Sequence, residues 1–586
     1  MARVFWDGER IVATACVSNI KHLTELAEKY NAETLPAVNG YAFIRTVQTI
    51  KDLSTLEQTA FDSSFDDLLA KVNKSENKKK SYIDTLNLPD KMYPFQKEAV
   101  AQIMKWEHNT LLASDPGAGK TCMAAVSLNK LNGAYPALVV CPASLKTNWE
   151  VEIHKWTPGV KTYIINGRES YKDLYTLNCA KQADIVIINY DILGVDDKEA
   201  LKREKERIKI AKENGYKYRK AFIPVSGWVD YINKEIRPNA IVCDEVQFIQ
   251  TTTTVRTRAI TQIASEQGIL KLFLSGTPFE TRVSQFYTCC HLLAPELFPN
   301  EYKFKQRYCD PYFNGFGWEY KGVSNLDELR AKLSSFMIRH RKEDVLAFLP
   351  PKQKIPTYFD MDAKSRESYD RMEDELLAQS EGLHQFSYLA KMKQAVMEIK
   401  LDAVIQFVKD MLEVEDKVVV FTYHTVMFDA LMGIFDGMCV GINGSTPTEK
   451  RQDMVDSFQN DSKIKVFIGQ IQAASTGITL TASRTVIFTE FGNTCAQHIQ
   501  AEDRIHRISQ NADRCLIYYL IVKDTIDEGP LESLINHYED IKAVMDGDTN
   551  AKFVDIDESM IAKVKQRKLM RDKKAIQIEY EQEKQC

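Results

Sequence analysis

The sequence predicts an α/β fold made of two parallel-sheet lobes with a small accessory domain ahead of them. Two observations carry this. Short, continuously apolar runs alternate with helix-like stretches from about residue 86 to 280, and the same pattern returns between about 400 and 525. Runs of this kind mark strands covered on both faces, joined by helical crossovers. A third observation sets the scale: 586 residues are enough for about three or four domains of ordinary size.

Taken in order, Arg3–Trp6 and Arg10–Thr14 read as strands around the turn signal Asp7-Gly8, and a polar helix follows near 19–30. Asn73–Lys80 is a basic polar run and reads as a linker, closing an N-terminal segment of 1–80. The first lobe is expected over 81–295, with strands at Thr110–Ser114, Ala137–Cys141, Ile185–Asn189, Ala240–Cys243 and Leu272–Ser275. A charged stretch at 196–235 interrupts it and reads as a solvated helix. Residues 296–395, rich in aromatics and helix formers, are expected as a helical insertion and interlobe linker. The second lobe follows over 396–545, with strands at Val418–Phe421, Lys465–Ile468, Thr485–Phe488 and Leu516–Leu520. A charged tail, 546–586, is open to three readings: a helix, a nucleic-acid-binding extension or disorder.

Composition excludes several classes. The net charge of −5 gives no general basic surface, so any nucleic-acid site must be a local groove. The 12 cysteines show no C-x-x-C spacing and read as reduced thiols rather than a disulfide or zinc framework. No basic-then-apolar leader and no uncharged apolar run of membrane length is present. The expected location is therefore cytoplasmic, at a nucleoid or viral replication site, and nuclear only in a eukaryote.

The chemistry lies in three segments. After the strand ending at Ser114 comes Asp115-Pro116-Gly117-Ala118-Gly119-Lys120-Thr121. Gly117 and Gly119 let backbone N–H groups approach a phosphate, and a helix beginning at Lys120 adds its positive end. Lys120 supplies a point charge to the β and γ phosphates of ATP, and the Thr121 hydroxyl suits Mg²⁺. Pro116 and Ala118 complete the loop. Asp244-Glu245 ends an apolar strand, where a parallel sheet places its ligand crevice. There Asp244 is expected to hold Mg²⁺ and Glu245 to orient and deprotonate the attacking water. Arg504 and Arg507 are three residues apart, on one face if helical, and suit γ-phosphate recognition as arginine fingers. The competing reading for them is a structural ion pair with Glu502 or Asp503. Gln96 carries an amide able to read adenine.

The motif set resembles superfamily 2 helicases, and more closely the Swi/Snf-type DNA-dependent ATPases, in particular their annealing-helicase, fork-remodelling branch. The residues that carry this are Leu138–Trp149, Leu274–Pro278, Tyr308–Pro311 with Gly317–Tyr320, Ser324–Leu329, Met337–Val345, Leu349–Lys352, Val418–His424, Gly444–Thr446 and Gln500–Gln510. The resemblance implies two RecA-like lobes flanking an ATP cleft, with Gln247 and Gln500 at the nucleotide. It implies an ATP- and Mg²⁺-dependent translocase on duplex or branched DNA, acting without sequence preference in strand annealing, branch migration, repair or recombination. The sequence departs from the family at Ser114, at Pro116, at Gln247, where His is usual, and at Asn493–Cys495, where a Trp-Asn-Pro run is usual.

Nucleic-acid contacts are expected from loops at strand ends: Pro142, Ser144 and Lys146 in the first lobe, and Thr422, His424, Ser475, Thr476 and Gly477 in the second. Hydroxyl, amide and lysine groups there suit phosphate contact. Trp149, Trp156 and Trp318 read as core. Two alternatives stay open: an RNA-dependent superfamily 2 helicase and a nucleotide-switched clamp.

Overall fold

The computed structural model describes residues 2–583 except 7–9, 15–19, 31, 36–39, 44–46, 57–58, 62, 197, 215, 217–222, 267, 316, 347–348, 379–382, 475–476, 493, 532–533, 535–544 and 546–555. The chain forms two compact units, residues 1–101 and 102–586.

The first unit carries a five-stranded sheet in the order Glu33–Leu35, Gly40–Phe43, Ile11–Thr14, Ala2–Trp6, Thr59–Phe61. Its neighbours are antiparallel except for the last pair. Val4, Ile11, Leu23, Phe43, Leu53 and Phe65 form its core. The expected strand pair and the helix (Ile20–Lys29) are present, while the Asp7-Gly8 turn lies outside the described residues. Asn73–Lys80, expected as a linker, falls inside a 23-residue helix, Ser63–Thr85. Lys and Glu, good helix formers, make up five of the eight residues of Asn73–Lys80, so high polarity there is compatible with a solvated helix.

In the second unit, a seven-stranded sheet runs in the order Met337–Ile338, Thr110–Leu112, Leu270–Leu274, Ala240–Asp244, Ala137–Cys141, Ile185–Asn189, Thr162–Ile164. All its pairs are parallel. Strands Thr110–Leu112 and Ala137–Cys141 are consecutive among the sheet's strands but have two other strands between them in it. That separation opens a crevice beyond the carboxyl ends of the strands between them. The second sheet runs Lys352–Phe359, Cys515–Val522, Thr485–Phe488, Val418–Thr422, Val466–Gln470, Cys439–Ile442, again all parallel. Each sheet is buried on both faces, as its continuous apolar strands require.

The stretch 296–395, expected as a helical insertion and interlobe linker, also contributes a strand to each sheet: Met337–Ile338 to the first and Lys352–Phe359 to the second. The latter opens on three consecutive polar residues, Lys352-Gln353-Lys354, and carries Pro356 in its middle. It is an edge strand, half-exposed along its length, so it lacks the unbroken apolar run that revealed the central strands. Helix Leu383–Val414 crosses the expected boundary at 395. The charged insertion is a helix over Lys198–Glu213.

The described part of the tail is a helix, Ile556–Glu583. Its Arg567 and Arg571 pair with Asp370, Glu373 and Asp374 on helix Ala363–Ala378. These basic side chains are held by the protein itself. Trp149 is fully buried, as expected, and Trp156 is partly so. Trp318 is not core: it sits half-exposed in the two-stranded hairpin Tyr312–Phe313/Trp318–Glu319, edge-on to Phe313. Among the described residues no helix is long and apolar enough to cross a membrane.

Candidate active site

Three adjacent parallel strands of the first lobe end together. Thr110–Leu112 leads into the glycine loop, Leu270–Leu274 into Ser275–Pro278, and Ala240–Asp244 into Glu245. The loop turns through left-handed conformations at Gly117 (φ +86°) and Gly119 (φ +84°), and helix Lys120–Lys130 begins directly after it. Pro116 packs on the neighbouring strand end: a Cβ at Gly276 would lie 2.6 Å from its Cδ. Gly276 is thus a glycine because the proline occupies that space. Lys120 Nζ donates to the carbonyls of Ser114 (2.8 Å) and Asp115 (3.3 Å). Burial lowers its pKa, opposed by Glu245, Asp244 and Asp115.

Asp244 is buried and held from two sides. The Trp149 indole N–H donates to its Oδ2 at 2.8 Å, and the Tyr190 hydroxyl donates to its backbone carbonyl at 2.8 Å. Burial, then the charge of Glu245, push the Asp244 carboxyl up to about 7, against the pull of Trp149 and Lys120. Glu245 sits at φ 56°, ψ 62°, a left-handed conformation costly for a side-chain-bearing residue. Gln247 holds its carboxylate: Nε2 donates to Glu245 Oε2 at 2.9 Å, while Gln247 Oε1 accepts from Ser275 Oγ at 2.8 Å. Ser275 Oγ in turn accepts from the Thr277 N–H at 3.1 Å. Gln247 thus ties Glu245 to the neighbouring strand end within the first lobe.

The second lobe brings Arg504 and Arg507 to this place. They are not on a helical face. Helix Cys495–Glu502 ends before them, and beyond its end Arg504 O accepts from the Leu480 N–H and His506 O from Lys342 Nζ. The two arginines then diverge. Arg504 donates to the carbonyls of Gln500 (2.8 Å) and Ile478 (3.3 Å). Arg507 donates to Asp503 O and Thr479 Oγ1, and its Cγ comes within 3.7 Å of a Cβ placed on Gly117. Burial, then Arg504, pull Arg507 down to about 9. Neither arginine has a side-chain ion pair with Glu502 or Asp503 among the described residues. Those carboxylates are taken by Lys352, Lys354 and Lys342.

Lys342 was not singled out by sequence, although it lies inside Met337–Val345. Its buried ammonium donates to Asp503 Oδ1 at 2.8 Å and His506 O at 2.9 Å. Burial first, offset by Asp503, takes it down to about 8. Burial alone would raise Asp503, but Lys342 and Lys352 hold it well below the usual carboxylate range.

Gln500 is buried on the helix preceding the arginines, and its backbone carbonyl serves Arg504. Gln96 belongs to the first compact unit, where its buried side-chain carbonyl accepts from the Tyr93 N–H at 3.0 Å. Thr121 follows Lys120 on the first helical turn, half-buried. Asp244, Glu245 and Thr121 are hard oxygen donors, which fits Mg²⁺: that ion is held by one or two protein oxygens plus phosphate and water rather than by a full protein cage. Among the described residues no group of three or more His, Cys, Asp and Glu is placed to hold a metal ion.

Of the expected nucleic-acid contacts, the structure brings Ser144 and Gly477 together across the lobes: a Cβ at Gly477 would lie 3.4 Å from Ser144 O and 2.8 Å from Leu145 Cδ2. His424 is half-exposed, its ring bonded to Glu490, which also accepts from the N–H groups of Tyr423 and His424. Two residues are not presented. Lys146 Nζ is committed to Ile165 O (3.0 Å) and Asn166 Oδ1 (2.5 Å), and Thr422 is fully buried. Thr147 and Asn148 are exposed on the first turn of helix Lys146–Trp156. Pro142 is buried at the preceding turn. Ser475 and Thr476 lie outside the described residues, as does Asn493 of the divergent Asn493–Cys495 run.

Comparison with known proteins agrees with this geometry. Residues 95–403 match the model of the SNF2-related domain and residues 399–509 that of the helicase conserved C-terminal domain. The SWI/SNF-related matrix-associated actin-dependent regulator of chromatin subfamily A-like protein 1 homolog of Caenorhabditis elegans is 30% identical over 75% of this chain and 60% of its own length. Its Xenopus laevis counterpart is 29% identical over 80% of this chain and 45% of its own length. The DNA annealing helicase and endonuclease ZRANB3 of Homo sapiens is 29% identical over 75% and 39% respectively. The chain thus spans about half the length of these relatives. Since the first domain model alone takes in more than half of the 586 residues, and its motifs are those that build the crevice between the lobes, the chain belongs to the SNF2-related domain family.

Proposed function

We propose that the chain is an ATP-driven translocase acting on duplex or branched DNA, in strand annealing, branch migration or fork remodelling. The observation that carries this is the meeting of the two lobes over the glycine loop, with Arg507 against Gly117 and the Asp244-Glu245 strand end beside them. In this reading the loop N–H groups and Lys120 bind the phosphates. Thr121 and Asp244 would hold Mg²⁺, which supplies charge neutralisation to the phosphates. Glu245, steadied by Gln247, orients the attacking water and takes its proton. Arg507, with Arg504 behind it, meets the charge that builds on the transferred phosphoryl group.

The closeness of Ser144–Leu145 and Gly477 supports a grip assembled from both lobes. Backbone groups and small polar side chains there favour phosphate contact without base readout. Binding should therefore weaken steeply as salt is raised. The test is ATP hydrolysis at one fixed salt concentration without nucleic acid, then with single-stranded DNA, duplex DNA, forked DNA and a matched RNA. Strong stimulation by duplex or fork with RNA inert is the expected result. Stimulation by RNA would replace this reading with an RNA-dependent helicase, and slow turnover unmoved by any of them with a nucleotide-switched clamp.

Trp149 provides a second check. Its N–H fixes one carboxylate oxygen of Asp244, and outer partners of metal ligands typically alter metal affinity by about 10- to 100-fold when removed. Trp149→Phe is expected to raise the Mg²⁺ concentration for half-maximal ATP hydrolysis by about 10-fold. An unchanged Mg²⁺ requirement would show that Trp149 is only a core residue.

A further inference from the structure

We infer that Lys342 is a positioning residue: an interlobe latch whose bond to Asp503 sets the Arg504–Arg507 turn over the glycine loop. This rests on the function proposed above.

Lys342 is fastened to the first lobe on its main-chain side. Strand Met337–Ile338 pairs with Thr110–Leu112, and the segment after it runs along the start of the glycine loop. The Ala113 N–H donates to Ile338 O at 2.8 Å and the Asp115 N–H to His340 O at 3.0 Å. Ser114 Oγ and His340 Nδ1 lie 3.1 Å apart. Arg339 Nη1 donates to Ala113 O at 2.9 Å. Last, the Lys342 N–H itself donates to Asp115 Oδ2 at 3.0 Å. Residues 338–342 and 113–115 therefore move as one piece.

The side chain of Lys342 faces the other lobe. Besides Asp503 Oδ1 and His506 O, its ammonium lies 3.4 Å from His506 Nδ1. The three second-lobe atoms match the three donors of an ammonium group. These partners bracket Arg504 and precede Arg507 in the chain. A Cβ on Gly117 would lie 3.3 Å from Lys342 Cε and 3.7 Å from Arg507 Cγ, so loop, latch and arginine share one contact. His506 directly precedes Arg507, so the bond from Lys342 to His506 O also holds the turn that presents Arg507. A charge pair this far from water holds only while both partners stay in place, since removing either leaves a buried charge uncompensated.

A latch of this kind acts on turnover more than on nucleotide binding, because the phosphate-binding loop is complete without it. Lys342→Met is expected to lower kcat by about 100-fold, the scale of loss for a catalytic group displaced by about 1 Å. ATP affinity, read with a fluorescent nucleotide, should stay within about 3-fold, and Asp503→Asn should behave alike. The double variant should be no slower than the slower single variant, since two residues acting through one bond do not add. All are measured on the full chain with ATP and duplex DNA, with thermal melts to confirm folding. Turnover of Lys342→Met equal to the unmodified chain, or losses that multiply in the double variant, would overturn the latch. If Lys342→Met does not fold, Asp503→Asn alone decides between a selective loss of kcat and none. An unmodified chain that hydrolyses no ATP would instead remove the proposed function, which keeps the two failures distinct.

Discussion

Glu245→Gln is expected to lower ATP turnover by about 10³-fold while ATP still binds, the middle of the range for removing a positioned general base. The reason is geometric. Glu245 stands at the carboxyl end of the strand Ala240–Asp244 in a left-handed conformation that the sheet and the following 3₁₀ turn Val246–Ile249 impose. Its carboxylate is oriented by Gln247, itself fixed by Ser275. Glutamine preserves the size of the side chain and can still bond Gln247, so the fold and the loop beside it are left alone. What is lost is the ability to accept a proton from water. Equilibrium binding of ATP alongside steady-state turnover checks this. Wild-type turnover in Glu245→Gln would move the base elsewhere in the crevice, and loss of ATP binding would mean that Glu245 shapes the pocket rather than the chemistry.

Arg507→Ala is expected to lower turnover by about 10³-fold or more, as removal of a guanidinium from a transferring phosphoryl group does in related chemistry. The contrast with Arg504 sharpens the expectation. Arg504 spends its bonds on the carbonyls of Gln500 and Ile478 and so braces the second lobe. Arg507 lies against the glycine loop. Arg504→Ala should thus lower the melting temperature as well as turnover, whereas Arg507→Ala should leave the melting temperature nearly unchanged. Lysine at 507 should not restore activity, because a point charge lacks the planar fork of a guanidinium. If Arg504→Ala proves the purely kinetic variant and Arg507→Ala the destabilising one, the two roles are reversed.

Much of this was legible in the residues. The central strands of both sheets show as near-continuous apolar runs because burial on both faces leaves few polar positions in them. Gly117, Gly119, Lys120, Asp244 and Glu245 stand out because a phosphate-binding turn and a strand-end carboxylate pair are local arrangements, written in consecutive residues. The lobe order and the arginine pair near the end of the second lobe follow from the same local signals. Tertiary structure decided what depends on partners far apart in the chain. Strand Lys352–Phe359 is a half-exposed edge strand that opens on the polar run Lys352-Gln353-Lys354, and only its pairing with Cys515–Val522 makes it part of the second lobe. The commitment of Lys146 to Ile165 O and Asn166 Oδ1 needs a neighbour about 20 residues away. The basic helix of the tail shows its purpose only against the acidic face of Ala363–Ala378. Lys342 reads in sequence as one charge among several in Arg339–Asp344. It becomes the link between the lobes only when folding buries it beside Asp503, 161 residues on, because a side chain's partner is set by packing in space and not by its neighbours along the chain.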